Sequence, residues 1–110
     1  MTYHQTHRFG SDLQELAIIA RALSHPARLA ILKYLAACKT CISGDISNEI
    51  PLSRSTVSQH LQELKKIGLI KGEIEGVTVN YCISNQHIKD MIRKFEIFFQ
   101  DISDLNNLEC

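Results

Sequence analysis

Apolar residues recur at helical spacing in the middle of the chain and define its best delimited element. The stripe comprises Val57, Leu61, Leu64 and Ile67. Spacings of four and three place these residues on one face of a helix with 3.6 residues per turn. Ser53 carries a hydroxyl at the N-cap position, and Gly68 follows where a helix can end in a left-handed conformation. The pattern predicts a helix over roughly Ser53 to Ile67.

The opposite face of this predicted helix carries hydrogen-bonding side chains and no acids over its first two turns. These residues are Arg54, Ser55, Thr56, Ser58, Gln59 and His60. Asp and Glu usually stabilise a helix N-terminus, so their absence favours an anionic partner. Arg reads guanine, Gln reads adenine, Ser and Thr bond bases or phosphate, and the helix N-terminus itself favours phosphate. The alternative is an ordinary solvated face, and the neighbouring elements decide between the two interpretations.

Two helices are predicted at the start of the domain. The first begins at a Ser11 cap and runs to about Leu23. The second begins near Pro26, with Ser24 placed to cap it, and ends near Ala37. The apolar sides are formed by Leu13, Leu16, Ala20 and Leu23 in the first helix, and by Leu29, Leu32 and Leu35, with Ile31 and Ala36, in the second.

A short third helix is predicted over Gly44 to Ile50, with Ile46 and Ile50 facing inward. Pro51 prevents its continuation, and the polar-faced helix follows after Leu52. Two helices joined by a tight turn, the second with a hydrogen-bonding outer face, form a helix-turn-helix.

The spacing of apolar residues changes after the fourth predicted helix, from a helical period to alternation. Leu69, Ile70 and Ile74 precede Glu75-Gly76, and Val77, Val79, Tyr81 and Ile83 alternate after it. Alternating apolar positions on both sides of a Glu-Gly turn predict a β-hairpin. Such a hairpin beside a helix-turn-helix is called a wing.

A terminal helix is predicted from about Asn85 to Leu105, with a continuous apolar stripe. The stripe comprises Ile88, Met91, Ile92, Phe95, Phe98, Phe99, Ile102 and Leu105. Part of it packs on the domain's own core, but its area exceeds what a small core covers. We therefore expect a homodimer interface shared with the first helix. The expected interface residues are Leu13, Leu16, Ala20, Met91, Ile92, Phe95, Phe98, Phe99 and Ile102.

Length and composition bound the class of protein. With 110 residues, the chain is long enough for one core, which we expect over residues 11–110 after a flexible arm of residues 1–10. The apolar fraction of 45% and the charged fraction of 22% are typical of soluble globular proteins. No apolar run approaches the ~20 residues of a membrane span, and the polar N-terminus lacks the apolar centre of a signal peptide. A cytoplasmic location is expected.

Charge is segregated along the chain although its net value is zero. Neutrality weakly opposes nucleic-acid binding, for which a basic balance is the usual footprint. From Ser53 to Lys71, however, four bases stand against the single acid Glu63, whereas acids and no Lys or Arg follow Phe95. The positive part coincides with the polar-faced helix.

Two segments carry a family resemblance: ALSHPARLAILKYL (Ala22–Leu35) and LSRSTVSQHLQELKKIGLI (Leu52–Ile70). They resemble the second-helix and recognition-helix signatures of the ArsR-type (ArsR/SmtB) family of winged-helix repressors, and GEIEGVTVNYCIS resembles that family's wing. The resemblance implies a mainly α winged helix-turn-helix in the order α-α-α-α-β-β-α. It further implies a homodimer that binds a palindromic operator in double-stranded DNA, represses transcription and is released by an inducer.

Carried over by position, the resemblance also implies which residues face DNA. They are Ser53, Arg54, Ser55, Thr56, Ser58, Gln59 and His60, with Lys71, Glu75 and Thr78 in a wing along the backbone or minor groove. His60 has a second interpretation, in which its ring folds back on the short third helix.

The cysteines are candidate sensory residues, because members of this family sense metals, metalloids or thiol oxidants. A soft metal or metalloid at Cys38 and Cys41 is one possibility, although Ser43 stands where relatives often have a further thiol. A thiol switch joining Cys41 to Cys38 or Cys82 is another, and the absence of any sensory role is the third. A complete zinc-type site on the last helix is not expected, since only His87 fits a ligand position.

Two rival classes are weighed against a DNA-binding regulator. A winged helix used for protein contacts, with no inducer site, fits the neutral net charge but not the acid-free helix start. An enzyme is not expected, because the sequence holds no phosphate-binding glycine loop, no paired-carboxylate motif and no local nucleophile signature.

Overall fold

The computed structural model describes residues 8–38, 42–43, 49–75 and 78–104. Its elements are α1 (Ser11–Ala22), α2 (Pro26–Cys38), β1 (Ile42–Ser43), α3 (Arg54–Lys66), β2 (Ile70–Glu75), β3 (Thr78–Ile83) and α4 (Asn85–Asp104). This mainly helical arrangement with an antiparallel hairpin is a winged helix-turn-helix and confirms the predicted fold class. The predicted short helix over residues 44–50 lies outside the described residues except for Glu49 and Ile50, which belong to a turn. Among the described helices, none combines the length and apolar character needed to cross a membrane.

The boundaries of α3 follow the local signals in the sequence. The Ser53 side chain accepts a hydrogen bond from the backbone N–H of Thr56 at 3.3 Å, so Ser53 is the N-cap. The helix ends at Ile67, and Gly68 has a φ of 83°, the left-handed conformation that glycine adopts without strain. Its inward face consists of Val57, Leu61 and Leu64, all buried.

The N-terminal caps of the first two helices differ from those predicted. Gly10 occupies the N-cap of α1, and no side chain caps that helix, so Ser11 is its first residue. The hydroxyl of Ser24 donates to the carbonyl of Arg21 at 2.7 Å, which closes the end of α1. The first backbone bonds of α2 are accepted by the carbonyl of His25 instead. Ser11 and Ser24 were predicted as N-caps because of their residue type, but neither caps the helix that follows it.

The core lies between α2, α3 and the sheet. Its largest fully buried side chains are Ile31, Leu64, Leu69, Ile70 and Tyr81. Helix α2 contributes Ile31 and Leu35, whereas Leu29, predicted on its inner face, is 51% exposed. Apolar residues surround most of α2, so the sequence pattern alone could not fix which side faces inward. Ile50 is buried as predicted, although it lies in a turn.

The wing belongs to a sheet of three antiparallel strands in the order β1-β3-β2. Strand β1 pairs Ile42 with Tyr81, and β2 pairs Gly72 with Tyr81. A Cβ at Gly72 would lie 1.9 Å from the carbonyl oxygen of Asn80, so the close approach of the strands requires glycine there. Strand β1 was not predicted, because a pairing of two residues with a distant strand leaves no periodic signal.

Candidate nucleic-acid interface

The polar side chains predicted to face DNA surround the first two turns of α3. Ser53, Arg54, Ser55 and Gln59 are exposed, and Thr56, Ser58 and His60 are half-buried. Because Val57, Leu61 and Leu64 hold the other side of α3 against the core, the helix start faces away from the described core. The geometry is that of a recognition helix, which presents its N-terminal residues to the major groove.

Hydroxyl groups organise the start of α3. The Ser53 Oγ lies 2.9 Å from the Thr56 Oγ1 and 3.3 Å from the Ser55 Oγ. The first turn contains no acid, and bases occur in the last turn at Lys65 and Lys66. The positive end of the helix dipole is therefore not offset by a carboxylate of its own first turn, which favours a phosphate or another anion there.

The ring of His60 is held by α2 rather than directed only to solvent. Its Nδ1 accepts a hydrogen bond from the Arg28 Nε at 3.0 Å, and its ring centroid lies 5.4 Å from that of His25. Burial lowers the pKa of His60, and the nearby charges of Arg28 and His25 lower it further. The ring therefore folds back on the protein, but its described partners are Arg28 of α2 and His25, which precedes that helix. The short third helix named in the second interpretation lies largely outside the described residues.

Sequence reasoning missed the role of Arg28 and His25. Arg28 lies in the first turn of α2, and His25 precedes that helix in the segment Ser24-His25-Pro26, which was interpreted only as a helix boundary. A partial signal was available, since residues three positions apart at a helix start lie on the same side. No sequence pattern, however, links Arg28 to a residue 32 positions away.

The wing is attached to α3 by backbone bonds. The N–H of Leu69 donates to the carbonyl of Leu64 at 3.1 Å, and the N–H of Ser84 donates to the carbonyl of Leu69 at 2.9 Å. Lys71 is exposed on β2, and Thr78 begins β3 opposite Glu75. The candidate phosphate contact Lys71 thus lies in the strand that directly follows the recognition helix.

Helices α1 and α4 form a second surface, which we term the apolar face. Its strongly exposed residues are Leu13 (48%), Ile92 (47%), Ile97 (51%), Phe99 (55%) and Ile102 (40%). Within the predicted dimer set, Ala20 is also exposed, and Leu16, Met91, Phe95 and Phe98 are half-buried. Phe98 and Phe99 meet edge to face with centroids 5.4 Å apart, and Glu15 pairs with Lys94 across the two helices. Ile97 belongs to this face but was not predicted. Ile18, which is 59% exposed, lines a cleft beside Arg28 instead.

Two of the candidate sensory cysteines lie in the described part of the chain. Cys38 is half-buried, is not part of a disulfide and shares a hydrogen bond with the side chain of Tyr34. Cys82, in β3, takes part in a disulfide bond. Cys41 lies outside the described residues. No group of three or more potential metal-ligating side chains occurs among the residues described.

His87 has a structural role at the start of α4. Its Nδ1 lies 2.7 Å from the hydroxyl of Ser84, and its ring packs over Gly68. These contacts give a structural explanation for His87, the one residue that fitted a ligand position of a zinc-type site.

A helix-turn-helix with an exposed, polar recognition helix beside an antiparallel wing defines the class of winged-helix DNA-binding proteins. A family model described as "Helix-turn-helix domain" matches residues 23–73. The chain is 32% identical to the HTH-type transcriptional regulator YgaV of Escherichia coli over 74% of its own length and 83% of that protein. It is 29% identical to a cadmium resistance transcriptional regulatory protein, a CadC homolog of Staphylococcus aureus, over 83% of its length and 75% of that protein.

Solved structures show the same fold. HlyU from Vibrio cholerae superposes with a TM-score of 0.60 at 29% identity, covering 83% of this chain and 98% of that one. An ArsR-like transcriptional regulator from Rhodococcus superposes with a TM-score of 0.68 at 22% identity, covering 86% and 89% of the two chains. The chain belongs to the ArsR/SmtB family of helix-turn-helix proteins, and it is a DNA-binding transcriptional regulator.

Proposed function

We propose that the protein is a homodimeric repressor that binds a palindromic operator and leaves it when an inducer acts. The observation that carries the proposal is the exposed, acid-free start of α3, where Arg54, Ser55 and Gln59 are open to a polyanion. In a dimer, two such helices would enter successive major grooves about 34 Å apart.

The apolar face supports self-association. Leu13 of α1 and Phe99 of α4 expose about half of their surface, and the phenylalanines of α4 stack along the helix. Apolar patches shared by two helices commonly mark protein interfaces. Because this face is formed by α1 and α4, dimerisation through it would leave α3 accessible to DNA.

A selection experiment tests operator recognition. Duplexes retained by the protein from a random-sequence pool are amplified over several rounds, and the enriched duplex serves as the probe in later measurements. We expect a two-fold symmetric sequence to emerge. A pool that stays random, with no sequence enriched, would contradict sequence-specific binding.

Side chains of the recognition helix are then tested on that enriched duplex. Gln59→Ala and Ser58→Ala should each lose about 1–3 kcal/mol of binding free energy and relax sequence preference. Gln86→Ala is the matched control, because Gln86 is exposed on α4 and bonds Asp90 at 3.1 Å, away from α3. Equal affinity of Gln59→Ala and the parent would exclude base reading by that residue.

The salt dependence of binding distinguishes contacts to the DNA backbone from contacts to bases. Lys71→Met should weaken binding to all duplexes alike and reduce the slope of log affinity against log salt by about one unit. Lys89→Met is its control, because Lys89 is equally a surface lysine but lies on α4. Arg54→Ala should show the salt effect if Arg54 contacts phosphate, and a sequence effect if it reads a base.

A thiol-reactive signal is the inducer class that one observation favours. Cys82 lies in the central strand of the sheet, opposite the wing residue Lys71, and is disulfide-bonded, whereas Cys38 is not part of a disulfide. The proposed partner of Cys82 is Cys41, a residue outside the described part of the chain and one of the pairings that the sequence left open. Oxidation would tie the wing to the segment that follows α2, and reduction would release it.

Redox titration separates this signal from a soft metal or metalloid held by Cys38 and Cys41. Operator binding is compared after dithiothreitol and after diamide, and the disulfide is mapped by mass spectrometry of unreduced peptides. Cys82→Ser should abolish the difference, and Cys38→Ser should retain it. If the reduced protein instead loses DNA on addition of arsenite or cadmium, and redox state has no effect, the soft-ion interpretation holds.

A further inference from the structure

The side chain of Arg28 joins three helices. From α2, its Nε donates to the Nδ1 of His60 on α3 at 3.0 Å. Its Nη1 donates to the carbonyl oxygen of Ala22, the last residue of α1, at 3.1 Å. We term this set of contacts the Arg28 clamp. It links α1, which contributes to the apolar face, to the recognition helix.

The clamp requires a neutral His60. A ring nitrogen that accepts a hydrogen bond carries no proton, so the proton of His60 is on Nε2. A second proton would have to enter at Nδ1, where the Arg28 N–H already points. Protonation would thus replace an attractive contact by two donors and two positive charges facing each other.

We propose that Arg28 is a positioning residue for DNA binding, whose clamp on neutral His60 sets the recognition helix relative to α1 and opens when His60 is protonated. The inference rests on the proposed operator binding by a dimer. In such a dimer, the placement of α3 relative to α1 determines the separation of the two recognition helices. Loss of the clamp therefore lowers operator affinity even though no DNA contact is removed.

The charged groups around the ring agree with a proton-sensitive contact. Arg28 of α2 and His25, which precedes that helix, face His60. Arg21 of α1 and Glu63 of α3 line the same cleft of about 500 Å³, together with Arg28. Glu63 accepts a hydrogen bond from Lys66 at 3.0 Å, so its charge is engaged on α3. Burial, Arg28 and His25 all lower the pKa of His60.

The sign of the pH effect distinguishes the clamp from simple electrostatics. Protonated histidines add positive charge and strengthen binding to a polyanion, whereas opening of the clamp weakens it. The readout is the ratio of dissociation constants for the enriched duplex at about pH 5 and about pH 7.5, at constant ionic strength. We expect this ratio, the dissociation constant at about pH 5 divided by that at about pH 7.5, to be about tenfold larger for the parent than for His60→Asn.

His60→Asn is the informative variant because the Asn Oδ1 can accept from Arg28 but does not titrate. A parent ratio equal to or below that of His60→Asn would overturn the proposal. Arg28→Lys supplies a second arm, since Lys keeps the charge but not the two-branched geometry. It should weaken binding about tenfold at about pH 7.5 without changing the salt slope. Lys33→Met, at an exposed position of the same helix, is its control.

A DNA-free measurement keeps this inference separate from the proposed function. In an NMR titration of the ring protons, the pKa of His60 should lie below that of exposed histidines in the parent and rise in Arg28→Lys. An identical titration in both proteins would overturn the clamp itself. If the titration behaves as expected but no duplex is enriched from the random pool, the proposed operator binding fails and the clamp remains a structural contact.

Discussion

The imidazole ring of His87 lies against Gly68, so that a Cβ atom at position 68 would come within 2.7 Å of the ring. Gly68 ends the recognition helix with a φ of 83°, and His87 bonds Ser84 at the start of α4. Where α3, the wing and α4 meet, the chain therefore has no room for a larger residue. This junction fixes the wing beside the recognition helix.

Replacing Gly68 tests that junction. Gly68→Ala should lower the free energy of unfolding by about 1–3 kcal/mol, because alanine resists the left-handed conformation and its methyl group meets His87. Gly10→Ala is the control, since Gly10 has a φ of −59° and a Cβ there would meet nothing within 4 Å. Urea unfolding measures both. Equal effects of the two substitutions would contradict the structure at Gly68.

The cap of the recognition helix can be separated from its DNA contacts. Ser53→Ala should lower the free energy of unfolding by about 1 kcal/mol, because the bond to the Thr56 N–H is lost. Ser53→Asp should unfold like the parent, since Asp caps equally well, but bind DNA more weakly because it adds a negative charge. Urea unfolding and band-shift titration measure the two effects. An Asp variant that binds DNA as tightly as the parent would place Ser53 away from the DNA.

The hydroxyl of Tyr81 is buried and has no hydrogen-bond partner among the described residues. Burial also raises the pKa of this phenol, so it stays neutral near neutral pH. Tyr81→Phe should therefore change the free energy of unfolding by less than about 0.5 kcal/mol or stabilise the fold. Tyr34→Phe, which removes the bond to Cys38, should destabilise the fold more than Tyr81→Phe does. A larger loss for Tyr81→Phe in thermal unfolding would show that its hydroxyl has a partner.

The apolar face is tested by the oligomeric state. Phe99→Ser should shift sedimentation towards monomer, because the most exposed phenylalanine of α4 is removed from the proposed interface. Leu29→Ser is a matched control, since Leu29 of α2 is 51% exposed and lies outside that face. It should sediment like the parent. The same shift in both variants, or in neither, would contradict dimerisation through α1 and α4.

Elements with local signals were predicted well from the sequence. The Ser53 cap, the Val57, Leu61 and Leu64 stripe and Gly68 lie within one short segment, and together they define α3 without reference to any distant residue. The amphipathic α4 follows the same logic, with observed bounds of Asn85–Asp104.

Features that depend on distant contacts were not predictable in this way. Strand β1 exists only through its pairing with β3, and the inner side of α2 is chosen by packing because apolar residues surround that helix. The contact of Arg28 with His60 joins residues on different helices. The disulfide of Cys82 was not predictable either, since a strand cysteine is compatible with a buried thiol and with a disulfide.

Footprinting of the enriched duplex tests the central claim, that two copies present paired recognition helices to successive major grooves. Methylation protection should reveal two protected major-groove segments on one face of the duplex, with centres about 10–10.5 base pairs or a multiple of this apart. The wing should add backbone protection at the outer edges. A single protected segment, or protection confined to the minor groove, would contradict the account.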